Sequence, residues 1–327
     1  MICGKICSGR FFLAVVACLL TLVASRALAQ DFPNKFITLY CGQSAGATTD
    51  ITARALAEGA QKELGVPVVV ENKPGGGQTV AATLLANKNP DGYTLGIVSS
   101  AAFTTRHLIL KLAYDPFKDF TYILAYAIYP GGICVRQNSP FKTLQDLIEH
   151  SRKNPGSLSY SSSGTGSANQ LAVEFLAKQT GVKFKHVPFK GGAPACTALI
   201  GGHVDFTAGA GIHLQYVKQG VFRMLVLLTA DERDPAFPQV PTLHDLGYKD
   251  LPASYFILAA PHGLPDPVFK KVEAAFTHVA VSPEFRKLME NLNVPKIFRT
   301  RSQLEAALPK EYQIYSNLLK EIGIIKK

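Results

Sequence analysis

The stretch from Phe36 to Leu64 constrains this chain most, because its hydrophobic period changes across one short loop. Phe36-Ile-Thr-Leu-Tyr40 is an apolar run of the buried-strand kind, whereas Ile51, Ala55, Leu56, Ala60 and Leu64 recur at helical spacing. Between them lies Gln43-Ser44-Ala45-Gly46-Ala47-Thr48-Thr49-Asp50, a run of small and hydroxyl residues at a helix start. The first N–H groups of a helix have no internal partner and carry partial positive charge. Such a loop is equipped to hold an anion.

The same alternation continues downstream. Pro67 to Glu71 reads as a strand, Asn72 to Gly77 as a turn, Gln78 to Asn87 as a helix, and Tyr93 to Val98 as a third strand that opens into Ser99-Ser100. Strand, helix and strand in succession predict an α/β fold of mostly parallel sheets flanked by helices, with ligands collecting at the carboxyl ends of the strands. Leu158 to Tyr160 then leads into Ser161-Ser162-Ser163-Gly164-Thr165-Gly166-Ser167-Ala168-Asn169, and Leu171, Phe175 and Leu176 form the stripe of the next helix. This second motif repeats the first. Crossings between two domains are expected at Pro130-Gly131-Gly132 and at Tyr255 to Ala260, which places residues 30–129 with 256–327 in one domain and 130–255 in the other. Three closing helices are expected after Asp266-Pro267, Ser282-Pro283 and the capping box Ser302-Gln-Leu-Glu305.

Residues 1–29 stand apart from the fold. Lys5 and Arg10 precede an apolar core from Phe11 to Val23 that ends in Ala27-Leu28-Ala29, the pattern of a secretory signal peptide. Val15-Val16-Ala17-Cys18 loosely resembles a lipid-anchor cleavage site, but apolar sequence continues past Cys18. Removing that prefix leaves 298 of 327 residues, enough for two ordinary domains, and lowers the formal charge from +10 to +7. The remaining Lys and Arg are scattered, without the dense basic runs of a nucleic-acid surface. Of six cysteines, Cys41, Cys134 and Cys196 stay in the mature chain, far apart, and no two histidines sit at i, i+4. Neither a metal site nor a cofactor is expected.

The two junctions, Gln43 to Asp50 and Ser161 to Gln170, share glycines for close backbone approach, hydroxyl donors and a helix start. Facing each other from two domains, they would grip a carboxylate without an arginine. Candidate ligand-binding residues are therefore Gln43, Ser44, Ala45, Gly46, Ala47, Thr48, Thr49 and Asp50 in the first loop, and Ser162, Ser163, Gly164, Thr165, Gly166, Ser167 and Gln170 in the second. Ser99 and Ser100 at the third strand end join them, as does Lys190 beside Gly191-Gly192; Phe103 and Tyr129 are candidates for the cleft wall or the core. Both loops read equally as ordinary α/β connections. A phosphate loop is excluded, since neither stretch ends in Gly-Lys-Ser/Thr, and Asn169 stands where a dinucleotide fingerprint needs its third Gly. Gly42-Gln43-Ser44-Ala45-Gly46 also satisfies the G-x-S-x-G pattern of a secreted serine hydrolase, with Asp205 and His244 or His262 to complete a triad. Against this, the motif follows the first strand of the mature chain, and the helix starts several residues late for a nucleophile elbow.

One ordered series of segments adds a family resemblance. Ala-Gly-Ala-Thr-Thr-Asp (45–50), Leu-Gly-Val-Pro-Val-Val-Val-Glu-Asn-Lys-Pro-Gly-Gly-Gly (64–77), Pro-Asp-Gly-Tyr-Thr (90–94), Tyr-Asp-Pro-Phe-Lys-Asp-Phe (114–120), Val-Pro-Phe-Lys-Gly-Gly-Ala-Pro (187–194) and Gly-Gly-His-Val-Asp (201–205) resembles the Bug-type periplasmic solute-binding proteins of tripartite tricarboxylate transporters. The resemblance covers nearly the whole mature chain. It implies a two-domain periplasmic binding protein of the Venus-flytrap, type II-like class, monomeric and periplasmic, and no enzyme. A small organic carboxylate would lie between the domains, gripped by the loops matching Gln43 to Asp50 and Ser162 to Gln170, and be delivered to membrane subunits. A sensing role toward a receptor kinase would use the same cleft. Departures bear on the ligand: Ser44-Ala45-Gly46-Ala47 replaces the family's Pro-Ala-Gly-Gly, Gln170 replaces its His, and Thr207-Ala208-Gly209 lacks its acidic residue, which disfavours an amino-acid ligand.

Overall fold

The computed structural model describes residues 32–129, 131–189, 191–228, 233, 236–248 and 254–326. The leader pattern in residues 1–29, with Cys18, and Lys190 lie outside them.

The chain opens as a βαβαβ unit. Strand β1 (Ile37–Cys41) leads to helix α1 (Thr48–Leu64), β2 (Val68–Asn72), α2 (Thr79–Ala86) and β3 (Thr94–Ser99). β1 pairs in parallel with both β2 and β3, so the two loops after β1 and β3 emerge at the same edge of the sheet. Helix α1 ends because Gly65 takes the left-handed conformation at φ 72°, a backbone state that glycine enters without a Cβ penalty. Two short helices, α3 (Ser100–Phe103) and α4 (Thr105–Ile109), follow β3; both are too short to show a hydrophobic period. Then β4 (Phe120–Ile128) adds to the first sheet, and β5 (Gly131–Arg136) begins a second one.

The second sheet repeats the plan. Helix α5 (Leu144–Lys153) is closed at its start by a reciprocal Thr143–Asp146 capping box, and β6 (Ser159–Ser162), α6 (Ala168–Thr180), β7 (Lys185–Pro188), α7 (Gly192–Ile200) and β8 (Phe206–Ala210) follow. Helix α8 (His213–Lys218) and β9 (Phe222–Leu227) finish this sheet. The chain returns through β10 (Tyr255–Pro261) to α9 (Asp266–Ala280), α10 (Pro283–Leu292), β11 (Lys296–Thr300) and α11 (Arg301–Glu321). The last helix starts earlier than its Ser302 motif suggests, because Thr300 and Gln303 form the capping box instead.

Strand order is β11-β4-β10-β3-β1-β2 in one sheet and β7-β6-β8-β5-β9 in the other. Pairs joined by crossover helices are parallel; β4, β5, β9 and β10, which border the crossings, pair antiparallel. The fold is therefore a mixed α/β arrangement of two helix-flanked sheets. Each sheet has apolar clusters of its own, around Leu39, Ile97, Leu258 and Phe276 and around Phe103 and Ile257 in the first, and around Tyr160, Phe206 and Leu225 and around Cys134, Cys196 and Leu199 in the second. A smaller cluster, Leu171 with Tyr315, Leu318 and Leu319 and flanked by Leu108 and Ile109, packs α11 and α4 against α6. The three described cysteines are buried and unpaired. No described helix is long and apolar enough to cross a membrane.

Candidate functional site

A cavity of about 180 Å³ lies where the two sheets meet, at the carboxyl ends of β3, β6 and β8 and beside both crossings. That volume is below the usual ~300–1,000 Å³ of sites for drug-sized molecules, so it suits a small metabolite. One wall comes from Gly77, Gln78, Ser99, Ala101, Arg106, Tyr129 and Ser254, the other from Gly131, Ser163, Gly166 to Asn169, Ala172, Gly209 and Leu228. No carboxylate side chain is among these lining residues.

Tyr129, the last described residue before the crossing, is the hub of the first wall. Its hydroxyl accepts from Gln43 Nε2 and, at 2.9 Å, from Gln78 Nε2, and lies 3.2 Å from Thr49 Oγ1. Two amide donors occupy the oxygen's lone pairs, which leaves its proton for Thr49. Burial pushes this hydroxyl up to about 12, so it stays protonated. Gln78 in turn accepts from the Ser99 N–H at 2.8 Å, and Ser99 Oγ meets Ser254 Oγ at 2.8 Å. Gln78 holds φ 77°, a left-handed conformation uncommon outside glycine. Its backbone N–H donates to the Gly75 carbonyl at 2.8 Å and its side chain bridges Tyr129 and Ser99; Gly42 packs against it, where a Cβ would sit 2.7 Å from Gln78 Cβ.

The first loop is braced from behind. Asp50 accepts from the Gly46 N–H at 2.9 Å, from Arg54 Nε at 3.1 Å and from Asn72 Nδ2 at 2.8 Å. Burial alone would raise its pKa, but these donors outweigh it and hold the carboxyl below its usual range. Ser44, Ala45 and Gly46 are exposed, Ala47 and Thr48 half-buried and Thr49 buried; none of the loop's residues lines the cavity, which Gln43 and Thr49 touch only through Tyr129.

The second loop forms the opposite wall. Ser167 caps α6, its Oγ accepting from the Gln170 N–H at 3.4 Å, while Gln170 Oε1 accepts from the Gly166 N–H at 2.6 Å. Ser163 donates to Asn169 Oδ1 at 2.9 Å, and Asn169 Nδ2 donates to the Ala208 carbonyl. The first-turn N–H groups of Ala168 and Asn169 belong to cavity-lining residues and are orphans by helix geometry.

Of the residues expected from sequence, the cavity brings together Ser99, Ser163, Gly166 and Ser167. Ser100, Ser162 and Gln170 are buried behind it; Ser100 Oγ accepts from Tyr255 N at 3.0 Å, and Ser162 Oγ meets His186 Nε2 at 2.7 Å. Gly164 and Thr165 frame the second loop, Thr165 through its carbonyl. Phe103 is core, fully buried against Phe120 and Tyr122, whereas Tyr129 lines the cavity.

Sequence reasoning missed Gln78, Asn169 and Arg106. The signal for Arg106 was its place one short helix beyond the Ser99-Ser100 strand end. Its Nη1 donates to the Thr165 carbonyl at 3.3 Å, across the boundary between the sheets, and burial lowers its pKa from the ordinary guanidinium value.

The arrangement does not form a hydrolytic triad. Ser44 is exposed, and α1 begins at Thr48 and not at the serine, as an elbow requires. Asp205 is occupied by the Ser159 N–H at 2.7 Å and Ser159 Oγ at 2.8 Å, and His244 and His262 are exposed.

Comparison with known proteins gives a consistent picture. The model of a family described as tripartite tricarboxylate transporter family receptor matches residues 52–324. A Cupriavidus necator protein described as a UPF0065 protein in the gbd 5′ region is 35% identical over 313 residues, covering 96% of this chain and 95% of that protein. Among solved structures, the Rhodopseudomonas palustris protein Rpa4515 with adipate is 27% identical with a TM-score of 0.76, covering 90% of this chain and 99% of that one. MatC (Rpa3494) from the same organism, with bound malate, is 28% identical with a TM-score of 0.71, covering 88% of this chain and 100% of that one.

Proposed function

The chain belongs to the tripartite tricarboxylate transporter receptor family, a family of periplasmic solute-binding proteins, and on that premise we propose that it captures a small organic carboxylate in the cavity between its two sheets. Residues 30–129 with 256–327 act as one lobe and 130–255 as the other. The second loop, through Ser163 and Gly166 to Asn169, and Ser99 opposite it are the elements that meet the ligand, while the first loop, Gln43 to Asp50, acts through Tyr129, which Gln43 and Thr49 hold. The protein performs no chemistry on its ligand. It is exported by the leader in residues 1–29 without a lipid anchor at Cys18, works as a monomer, and hands the acid to membrane subunits.

The observation that carries this reading is the cavity's chemistry. It is lined by hydroxyls, amides, a helix start and one cation, with no acidic side chain among the described lining residues. The helix start and the guanidinium favour an anion, and the hydroxyls and amides can turn donors toward it. The relatives solved with adipate and malate support the same ligand class.

Native mass spectrometry of the purified protein, followed by thermal shift against a panel of carboxylates, tests it. A ligand at a hundred times its dissociation constant adds about 2.7 kcal/mol to stability. A retained acid or one strong shift is expected; a silent panel with nothing retained would refute carboxylate capture.

A further inference from the structure

We infer that Arg106 determines specificity in this cavity, its guanidinium taking a second anionic group of the ligand, so that the site selects a dianion such as a dicarboxylate over a monocarboxylate. The inference deepens the carboxylate reading above and rests on it.

Arg106 lines the cavity and has no ion pair among the described residues; its one hydrogen bond there goes from Nη1 to the neutral Thr165 carbonyl. A guanidinium carries five N–H donors in a planar fork, so most of its capacity is left over. Half-buried Arg299, by contrast, meets Glu311 at 3.3 Å. An unmatched, partly buried cation at a cavity wall stands in a low-dielectric setting where an arriving anion gains more than it would at the surface. Burial already weighs against the charged state of Arg106, which an anionic partner would offset.

The backbone is shaped around this side chain. A Cβ at Gly77 would stand 2.5 Å from Arg106 Nε and 3.1 Å from its Cζ. A Cβ at Gly166 would collide with Ile109 Cδ1 and stand 3.9 Å from Arg106 Nη1. Both glycines have positive φ, at 69° and 72°. The guanidinium therefore lies against the Gly77 turn of the first sheet and within van der Waals reach of Gly166 in the ligand loop of the second, and a side chain at Gly77 would displace it.

Arg106 is also additional to a complete first subsite. The orphan N–H groups of Ala168 and Asn169 at the α6 start and the Ser167 hydroxyl, whose oxygen accepts from Gln170 and leaves its proton free, can satisfy one carboxylate with neutral donors. The cation then remains for a second anionic group, which its fork can bind through two parallel N–H···O bonds. A zwitterion is disfavoured, because its ammonium would face a wall whose single charge is positive.

The competing role is a latch that joins the lobes through Thr165. Calorimetric titration of the full mature chain separates the two, using succinate, glutarate and adipate against butanoate, pentanoate and hexanoate, with wild type, R106Q and R106K. For selection, wild type prefers the dicarboxylate of a matched pair by about tenfold or more, and R106Q lowers dicarboxylate affinity by about tenfold more than monocarboxylate affinity. R106K keeps part of the preference, as a point charge without the fork. Equal losses for both ligand series in R106Q, or a wild-type preference near one, would overturn the inference while leaving carboxylate capture intact. No binding of either series by wild type would refute both. If R106Q does not fold, the wild-type preference and its retention in R106K decide.

Discussion

His213 makes the stability of the second sheet depend on pH in a way that can be worked out. The imidazole starts α8 and is fully buried over the register pair Gly132 and Gly209 of β5 and β8. The room exists because those residues are glycines. A Cβ at Gly132 would stand 3.0 Å from His213 Nε2, and one at Gly209 would run into His213 Cγ. Neither ring nitrogen has a partner among the described residues, and burial holds the pKa down to about 4. An unfolded histidine titrates near ~6.5. As pH falls below that value, the unfolded chain takes up a proton that the native state refuses, so stability present at neutral pH is lost toward the folded pKa. About two and a half pH units at ~1.36 kcal/mol each give about 3 kcal/mol between pH 7 and 4, and about 2 kcal/mol of it is already gone at pH 5. His213→Met keeps an unbranched side chain that can lie over the glycine pair and has nothing to protonate. Urea unfolding followed by far-UV circular dichroism from pH 7.5 to 5 should show the wild type losing about 2 kcal/mol more than the variant. Other titrating groups affect both proteins alike, so the difference isolates this ring. Parallel curves across that range would refute the reasoning.

Two further substitutions test the walls of the cavity. Tyr129→Phe removes the hydroxyl shared by Gln43, Gln78 and Thr49, and because Gln78 is buried its amide is left unpaired; unfolding free energy should fall by about 1–3 kcal/mol and carboxylate affinity with it, and a neutral result in denaturant titration would contradict the hub. Gly164→Val asks a β-branched residue to adopt φ 132°, with the Phe189 carbonyl 3.4 Å from the new Cβ; thermal shift should show a folded protein that no longer responds to carboxylates, and an unchanged response would remove the second loop from the site.

What was legible in the sequence was whatever repeats along the chain. The Phe36 to Leu64 switch of period gave β1 and α1, and the second copy at Leu158 to Leu176 gave β6 and α6, because strand and helix periods need only local residues. Antiparallel entry of β10 between β3 and β4 was not legible, since it depends on pairing across more than a hundred residues of sequence. Strand β11 was missed for a related reason. Its Lys296-Ile-Phe-Arg-Thr300 is an edge strand with little burial, recognisable only once β4 supplies the partner. The site divided in the same way. Ser163, Gly166 and Ser167 belong to a local motif readable from sequence and line the cavity, whereas Gln78 lines it through a left-handed backbone that nothing in its side chain announces.

Arg106 shows most clearly what local reading leaves out. In sequence it is one more scattered cation, and scattered cations ordinarily mean solubility. Its significance comes from its place in the fold: half-buried Arg299 has its carboxylate, whereas the cavity that Arg106 lines offers none. The second loop and its helix start alone account for the proposed grip on one carboxylate. Only the packing of α4 between Gly77 and Gly166 explains why one wall carries a charge that the first carboxylate does not need. On the proposed reading, ligand class here is set less by the repeated loops than by the Arg106 side chain that α4 projects beside them.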